Sequence, residues 1–340
     1  NVRSINELGL NAMFVPEAYG GQPISYCAYL ACVRELTKAC AATGSVWSTN
    51  FHAMKPLIDF GSEEQKRRLL PKIAAGGLGA LGITEPHAGS DATGMRTRFA
   101  PAGDEIRIDG GKTFITNGDV ADRLLLFGKW SEIEVPRKAI SVLVVERGAP
   151  GLHVVRTEDK MGIRASSTAT LAFGNCRVPR SNLLGEPGDG LRILLAALNK
   201  SRPSIAAHAL GIARVAFEDG IAYINQRRQS GRRIVEFQGI QFLLADLASE
   251  LALTERFLWH VGTLVDAGED DIGIEASILK LRASDLAMRM TTEVVQLFGG
   301  YGYCKDLRAE RLMRDAKITQ IWEGTNQIHR QLIGRSFVQK

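Results

Sequence analysis

No run of about 18 apolar residues occurs anywhere in the chain, which excludes the usual signature of a transmembrane helix. Low-complexity tracts and long blocks of like charge are also missing, so nothing marks a disordered tail. Cysteine is scarce: Cys27, Cys32, Cys40, Cys176 and Cys304 make five, with no CxxC pair. An odd count among apolar neighbours excludes a disulfide framework and a zinc ribbon. It leaves free thiols in a reducing compartment, the bacterial cytoplasm or mitochondrial matrix and not the secreted space. The chain has no Walker loop, GxSxG elbow or HExxH helix. Gln296-Leu297-Phe298-Gly299-Gly300-Tyr301-Gly302 is rich in glycine, but no strand precedes it and its spacing is not that of a dinucleotide fingerprint. The net charge of +5 is scattered, and no zinc-finger, basic-zipper or RNA-recognition pattern accompanies it. Nucleic acid is therefore not the expected partner, while a mild basic excess suits anionic ligands such as nucleotides.

What is present is an ordinary globular composition over 340 residues, enough for two or three domains. Residues 1–80 read as a helical domain. Segments 25–42 and 63–75 carry apolar residues three and four apart, and Ser62-Glu63-Glu64 makes a charged helix entry. Residues 81–187 change period. Short β-branched or alternating stretches recur at 105–108, 124–130, 140–145, 152–155 and 168–173, the last with Ala169, Leu171 and Phe173 on one face. No helix-length pattern separates them, so the expectation is antiparallel strands in a sandwich or small barrel. From residue 188 to 340 the chain is helical again. Ile205, Ala209, Ile212, Ala216 and Ile224 line one face, Ile240, Leu243, Leu247 and Leu251 another, and Ile278, Leu281 and Leu286 begin a third. Four long helices in a bundle are expected, with Pro203 starting or kinking the first. The fold class is α+β multidomain.

Several motifs admit two readings. In Thr84-Glu85-Pro86-His87-Ala88-Gly89-Ser90-Asp91, a polar loop is one; a backbone that comes close to a flat cofactor or phosphate is the other. His87 has no His or Cys at ligand spacing, so no metal is expected. Phe114-Ile115-Thr116-Asn117-Gly118 is a hairpin signal, or a platform for a planar ring with Thr116 hydrogen-bonding it. Arg227-Arg228-Gln229-Ser230-Gly231-Arg232-Arg233 complements a helix C-terminus, or grips a pyrophosphate. Finally, Ile321-Trp322-Glu323-Gly324-Thr325-Asn326-Gln327 sets one carboxylate between an aromatic ring and a glycine. Lost solvation there would raise the carboxyl pKa and suit a base.

Taken together and in this order, the segments resemble the acyl-CoA dehydrogenase family over nearly the whole chain. Further markers are Val15-Pro16-Glu17-Ala18-Tyr19-Gly20-Gly21, Lys160-Met161-Gly162-Ile163-Arg164, Val178-Pro179 and Glu236-Phe237-Gln238. The resemblance implies an N-terminal helical domain lacking its first helix or so, a middle antiparallel β-barrel, a C-terminal four-helix bundle and a homotetramer built as a dimer of dimers. It also implies FAD. Leu81, Ile83, Thr84, Gly89, Ser90, Phe114, Ile115 and Thr116 match the stretch lining the isoalloxazine. Arg227, Gln229, Gln238, Gln296, Leu297, Gly299 and Gly300 match residues holding the pyrophosphate and adenine end. Trp322, Thr325 and Gln327 match further flavin contacts.

The same resemblance makes Glu323 the base that removes the α-proton of an acyl thioester while a β-hydride passes to the flavin. Ser90, Asn199, Arg202 and Gly324 match substrate contacts. In some relatives the base sits at the position of Ser201, which has no carboxylate here. Three residues depart from the pattern: Ser230 replaces a usual phenylalanine, Asn199 a frequent acidic residue, and Trp322 a frequent tyrosine. The run Asn199-Lys200-Ser201-Arg202-Pro203 is similar to members acting on unusual acyl groups, so both acyl-CoA and acyl-carrier-protein thioesters stay open as substrates. An electron-transfer flavoprotein is the implied acceptor. Two alternatives remain at this stage: an oxygen-using oxidase or monooxygenase of the same fold, and a non-catalytic helical scaffold protein.

Overall fold

The computed structural model describes residues 2–338. Four helices open the chain: α1 (Val2–Glu7), α2 (Tyr26–Ala39), α3 (Ala41–Phe60) and α4 (Glu63–Ala74). Helix α4 starts where expected. The Ser62 side chain accepts from the Gln65 amide and the Gln65 side chain returns to the Ser62 amide, satisfying two otherwise open donors.

Eight strands follow: β1 (Gly79–Gly82), β2 (Arg98–Ala102), β3 (Glu105–Thr116), β4 (Arg123–Trp130), β5 (Ile140–Glu146), β6 (Leu152–Thr157), β7 (Thr168–Pro179) and β8 (Leu183–Leu184). Their order is β6-β7-β3-β2-β4-β5-β8, with β1 also paired to β4. The expected antiparallel barrel is corrected on two points. The sheet is open, its ends formed by the exposed β6 and the two-residue β8. It is also mixed, because β1 and β2 both run parallel to β4. The tight turn at Gly103 reverses β2 into β3, and the chain then returns along the far side of β2. A second reversal between Thr116 and Arg123 restores the original direction, so β4 runs parallel to β2. The Asn117-Gly118 turn therefore does not close a hairpin. Asn117 is buried, and its amide donates to the carbonyls of Val46 and Gly79.

Strands β4 and β5 are apolar at nearly every position because both their faces are covered. Leu125, Phe127, Val142 and Val144 join one core with Leu57, Leu69, Leu70 and Ile73 of the helices. Leu124, Leu126, Leu143 and Val145 join the other with Phe99, Ile106, Ala169 and Leu171.

Six further helices and a small hairpin complete the chain: α5 (Gly190–Gln226), β9 (Arg228–Gln229), β10 (Arg232–Arg233), α6 (Gln238–Asp266), α7 (Gly273–Phe298), α8 (Gly300–Tyr303), α9 (Ala309–Lys317) and α10 (Asn326–Arg335). Of the four long helices expected, the first three are α5, α6 and α7. The fourth is broken into α9 and α10 by the turn at 321–325. Pro203 does not start α5, which begins at Gly190 and continues past it. The basic cluster after α5 is a hairpin whose turn, Ser230-Gly231, has positive φ at both residues.

Contacts divide the chain into two compact units. The first holds the sheet with residues up to Ile24, Ser45–Asp159 and Arg164–Leu198; the second holds Ser25–Gly44, Lys160–Ile163 and the chain from Asn199 onward. Helix α2 thus joins the second unit. The carboxylate of Asp266, at the end of α6, accepts from the amides of Tyr26 and Cys27 in the first turn of α2. No described helix is long and apolar enough to cross a membrane.

Candidate active site

In the sheet unit, the residues expected to face a flat ring lie at and just after the end of β1 and at the end of β3. Leu81, Ile83 and Thr84 are half-buried, and Gly89 and Ser90 are exposed. The amide of Thr113 donates to the Thr84 carbonyl at 2.9 Å, fastening the two segments together. A bulge between Lys112 and Ile115 gives β3 one extra residue. That bulge turns Phe114 outward: its φ is 59° and its ring is 64% exposed, while Ile115 beside it is buried. An aromatic residue in the left-handed region within a strand is uncommon and strained, as functional positions often are. Thr116 is half-buried at the strand end.

Sequence reading missed what lies behind this platform. Lys112 and Glu85 are both buried and form an ion pair at 2.7 Å. Lys112 also donates to the Ile83 carbonyl, and Glu85 accepts from the Arg96 and Thr97 amides and the Thr97 hydroxyl. Burial pushes the Lys112 ammonium down to about 8, against the pull of Glu85. Burial alone would raise the Glu85 carboxyl, but Lys112 and these hydrogen bonds outweigh it and the net shift is downward.

In the helical unit, a cleft of about 680 Å³ is lined by Arg227, Gln229, Gln296, Leu297, Gly299 and Gly300, with Tyr223, Phe298 and Tyr301 among its walls. Tyr223 stacks on Phe298 at 4.3 Å, and the Arg227 guanidinium lies 5.8 Å above the Tyr301 ring. A Cβ placed on Gly299 or Gly300 would meet nothing within 4 Å, so the backbone here borders open space, while the Gly299 amide itself donates to the Gln296 carbonyl at 3.0 Å. Of the group expected here, only Gln238 is absent from the cleft lining; it is exposed at the start of α6.

The turn between α9 and α10 carries the carboxylate. Glu323 has φ 54° and Gly324 φ 94°, two left-handed residues in succession. Ser201 Oγ donates to Glu323 Oε2 at 2.6 Å. Lys280, fully buried on α7, donates to the Gly324 carbonyl at 2.7 Å and to Asn326 Oδ1 at 3.0 Å. Arg202 is 7% exposed and feels the charge of Glu323, and burial depresses its pKa. His329, fully buried on α10, is pushed down to about 3, by burial first and then by Lys280 and Arg202. Among the described residues the structure thus brings Ser201, Arg202, Glu323 and Gly324 together, but not Asn199, whose side chain lies against Gly273. Thr325 caps α10 by accepting from the Ile328 amide, and Gln327 is exposed on that helix. The one available signal for Lys280 was its register, because it falls on the apolar stripe of Ala276, Ala283 and Ala287.

Trp322 Nε1 and Arg202 Nε are among the buried donors that have no hydrogen-bond partner among the described residues. Buried N–H groups are nearly always paired, so these suit a bound polar molecule. In the helical unit these donors and the cleft beside Arg227 suit the polar parts of a flavin dinucleotide, and within the sheet unit the exposed Phe114 ring suits a planar ring.

The comparisons with known proteins agree. Family models for acyl-CoA dehydrogenase match the N-terminal domain at residues 1–77, the middle domain at 80–176 and the C-terminal domain at 188–338. An acyl-CoA dehydrogenase of Bacillus subtilis is 42% identical, over 98% of this chain and 88% of that protein. Butyryl-CoA dehydrogenase of Megasphaera elsdenii is 37% identical with a TM-score of 0.96, covering 99% of this chain and 89% of that one. A glutaryl-CoA dehydrogenase of Mycobacterium smegmatis, solved in complex with FADH2, is 30% identical with a TM-score of 0.93, covering 100% of this chain and 86% of that one. Matched in all three domains by that family's models, the chain belongs to the acyl-CoA dehydrogenase family.

Proposed function

We propose that Glu323 is the base of an FAD-dependent α,β-dehydrogenation that converts an acyl-CoA thioester to its trans-2-enoyl thioester. The observation that carries this is the Glu323 carboxylate, set on a left-handed turn and fixed by the Ser201 hydroxyl, with the buried cations Arg202 and Lys280 close by. An α-proton next to a thioester is weakly acidic, so its removal needs a base already aimed at it and a positive surrounding for the charge that develops. Glu323 receives the proton. FAD, when bound, supplies the acceptor for the β-hydride.

The residues proposed to hold FAD are Leu81, Ile83, Thr84, Phe114, Ile115 and Thr116 along the ring, with Arg227, Gln229, Gln296, Leu297, Gly299 and Gly300 at the dinucleotide end. Trp322 and Thr325 are proposed as further contacts, and Ser90 and Arg202 as substrate contacts. The same reading makes an electron-transfer flavoprotein the acceptor and a homotetramer the assembly. It divides the chain into an N-terminal helical, a middle sheet and a C-terminal helical domain at 80/81 and 187/188.

The test is anaerobic reduction of the holoenzyme across a panel of acyl-CoA and acyl-carrier-protein thioesters. The expected result is bleaching of the flavin by at least one saturated acyl-CoA, abolished in Glu323→Gln with FAD still bound. Full activity in that variant would sink the assignment of the base.

A further inference from the structure

We propose that Lys280 is a positioning residue for this reaction: from the middle of α7 its ammonium grips the turn that carries Glu323 and so sets the direction in which that carboxylate faces. The inference rests on the function proposed above.

Lys280 stands on the stripe of α7 that also buries Ala276, Ser277, Ala283, Ser284 and Ala287, and small neighbours leave room for its stem. Its Nζ reaches two oxygens that flank Thr325, the Gly324 carbonyl at 2.7 Å and Asn326 Oδ1 at 3.0 Å. Asn326 is itself held, since its Nδ2 donates to Ser284 Oγ at 2.9 Å and to Asp285 Oδ1 at 2.7 Å. That leaves the amide oxygen facing Lys280. The clamp is therefore two-point, and its Asn326 arm is fixed by further bonds.

Core stability does not account for this lysine. The hydrogen bonds of Lys280 go to the neutral oxygens of Gly324 and Asn326, and an ammonium is costly to bury where an apolar side chain is not. What the charge does instead is hold a path the backbone resists. A non-glycine residue in the left-handed region, as Glu323 is, is strained, and a bond to the next carbonyl opposes its relaxation.

The titratable groups facing Lys280 are Glu323 from the turn, Arg202 from α5, Asp285 from α7 and the neutral His329 from α10. Burial brings Lys280 down to about 7, Glu323 and Asp285 oppose this, and Arg202 adds to it.

The experiment compares holoenzymes of wild type, Lys280→Met and Lys280→Gln. Two quantities are read: hydrogen exchange of the peptide spanning Glu323 to Thr325, and the flavin-reduction rate against acyl-CoA concentration. In Lys280→Met, exchange of that peptide rises about tenfold with α6 unchanged, and the limiting rate per bound flavin falls about 100-fold while half-saturation moves less than about threefold. Lys280→Gln keeps a donor without the charge and loses about tenfold in rate, with a flattened pH profile near neutrality. Wild-type exchange and rate in the folded Met variant overturn the proposal, as does a loss confined to FAD content. If the Met variant does not fold, wild-type values in Lys280→Gln overturn it equally. A wild type that no acyl-CoA bleaches refutes the functional reading instead, and exchange still decides whether Lys280 holds the turn.

Discussion

Ser201 Oγ lies 2.6 Å from Glu323 Oε2, so a hydroxyl on α5 aims a carboxylate 122 residues further along the chain. A hydrogen bond to a charged group contributes about 1.5–3 kcal/mol. Ser201→Ala is therefore expected to slow flavin reduction by about 10- to 100-fold with FAD content unchanged, read by anaerobic stopped flow. A rate within twofold of wild type would mean the hydroxyl is a bystander.

Gly324 has φ 94°, and a Cβ there would sit 3.1 Å from His329 Nε2. Gly324→Ala is expected to cost about 1–3 kcal/mol, through left-handed strain and contact with a ring that has no room to retreat. Urea denaturation measures the loss, and unchanged stability would show that the turn relaxes freely.

Removing one partner of the Lys112–Glu85 pair leaves a buried charge alone. Lys112→Met should destabilise the sheet unit by about 3–5 kcal/mol, and adding Glu85→Gln should restore part of that. The pair of denaturation curves tests this. A double variant weaker than the single would count against it.

His329 titrates near 3 in the native protein, against an ordinary value of 6.5. Between those values the unfolded chain binds a proton that the native state refuses. Stability therefore rises with pH from about 3 to 6.5 and is lost as pH falls through that window. His329→Gln should flatten the slope of the urea midpoint against pH in this range, and an unaltered slope would remove His329 as its cause.

Much of the architecture was legible. Strands β3 to β7 announced themselves by period, and Ala169, Leu171 and Phe173 are buried together as their alternation requires. Strands β1, β2 and β8 are too short to show a period, and the parallel course of β4 depends on a reversal at Gly103 that no local pattern reveals. Helix α3 buries Ser45, Ser48, Thr49 and Asn50, so its covered face is not an apolar one. Of the site, Glu323 was visible because its whole turn is a motif. Ser201, Lys280 and His329 were not assigned, because each acts through a contact across the helical unit. A hydroxyl, an ammonium or an imidazole on a helix says nothing alone about what it will touch.

The pairing of β3 with β7 brings Glu105 opposite Pro179 and Thr116 opposite Thr168, joining segments separated by three other strands. Closing so long a loop costs entropy before any ladder bond repays it, so this ladder belongs to the late part of folding. Until it forms, the apolar β4, buried on both faces at the end, stands bare. Newly made chains are then most exposed to self-association, and cooler, slower synthesis should raise the yield of usable enzyme.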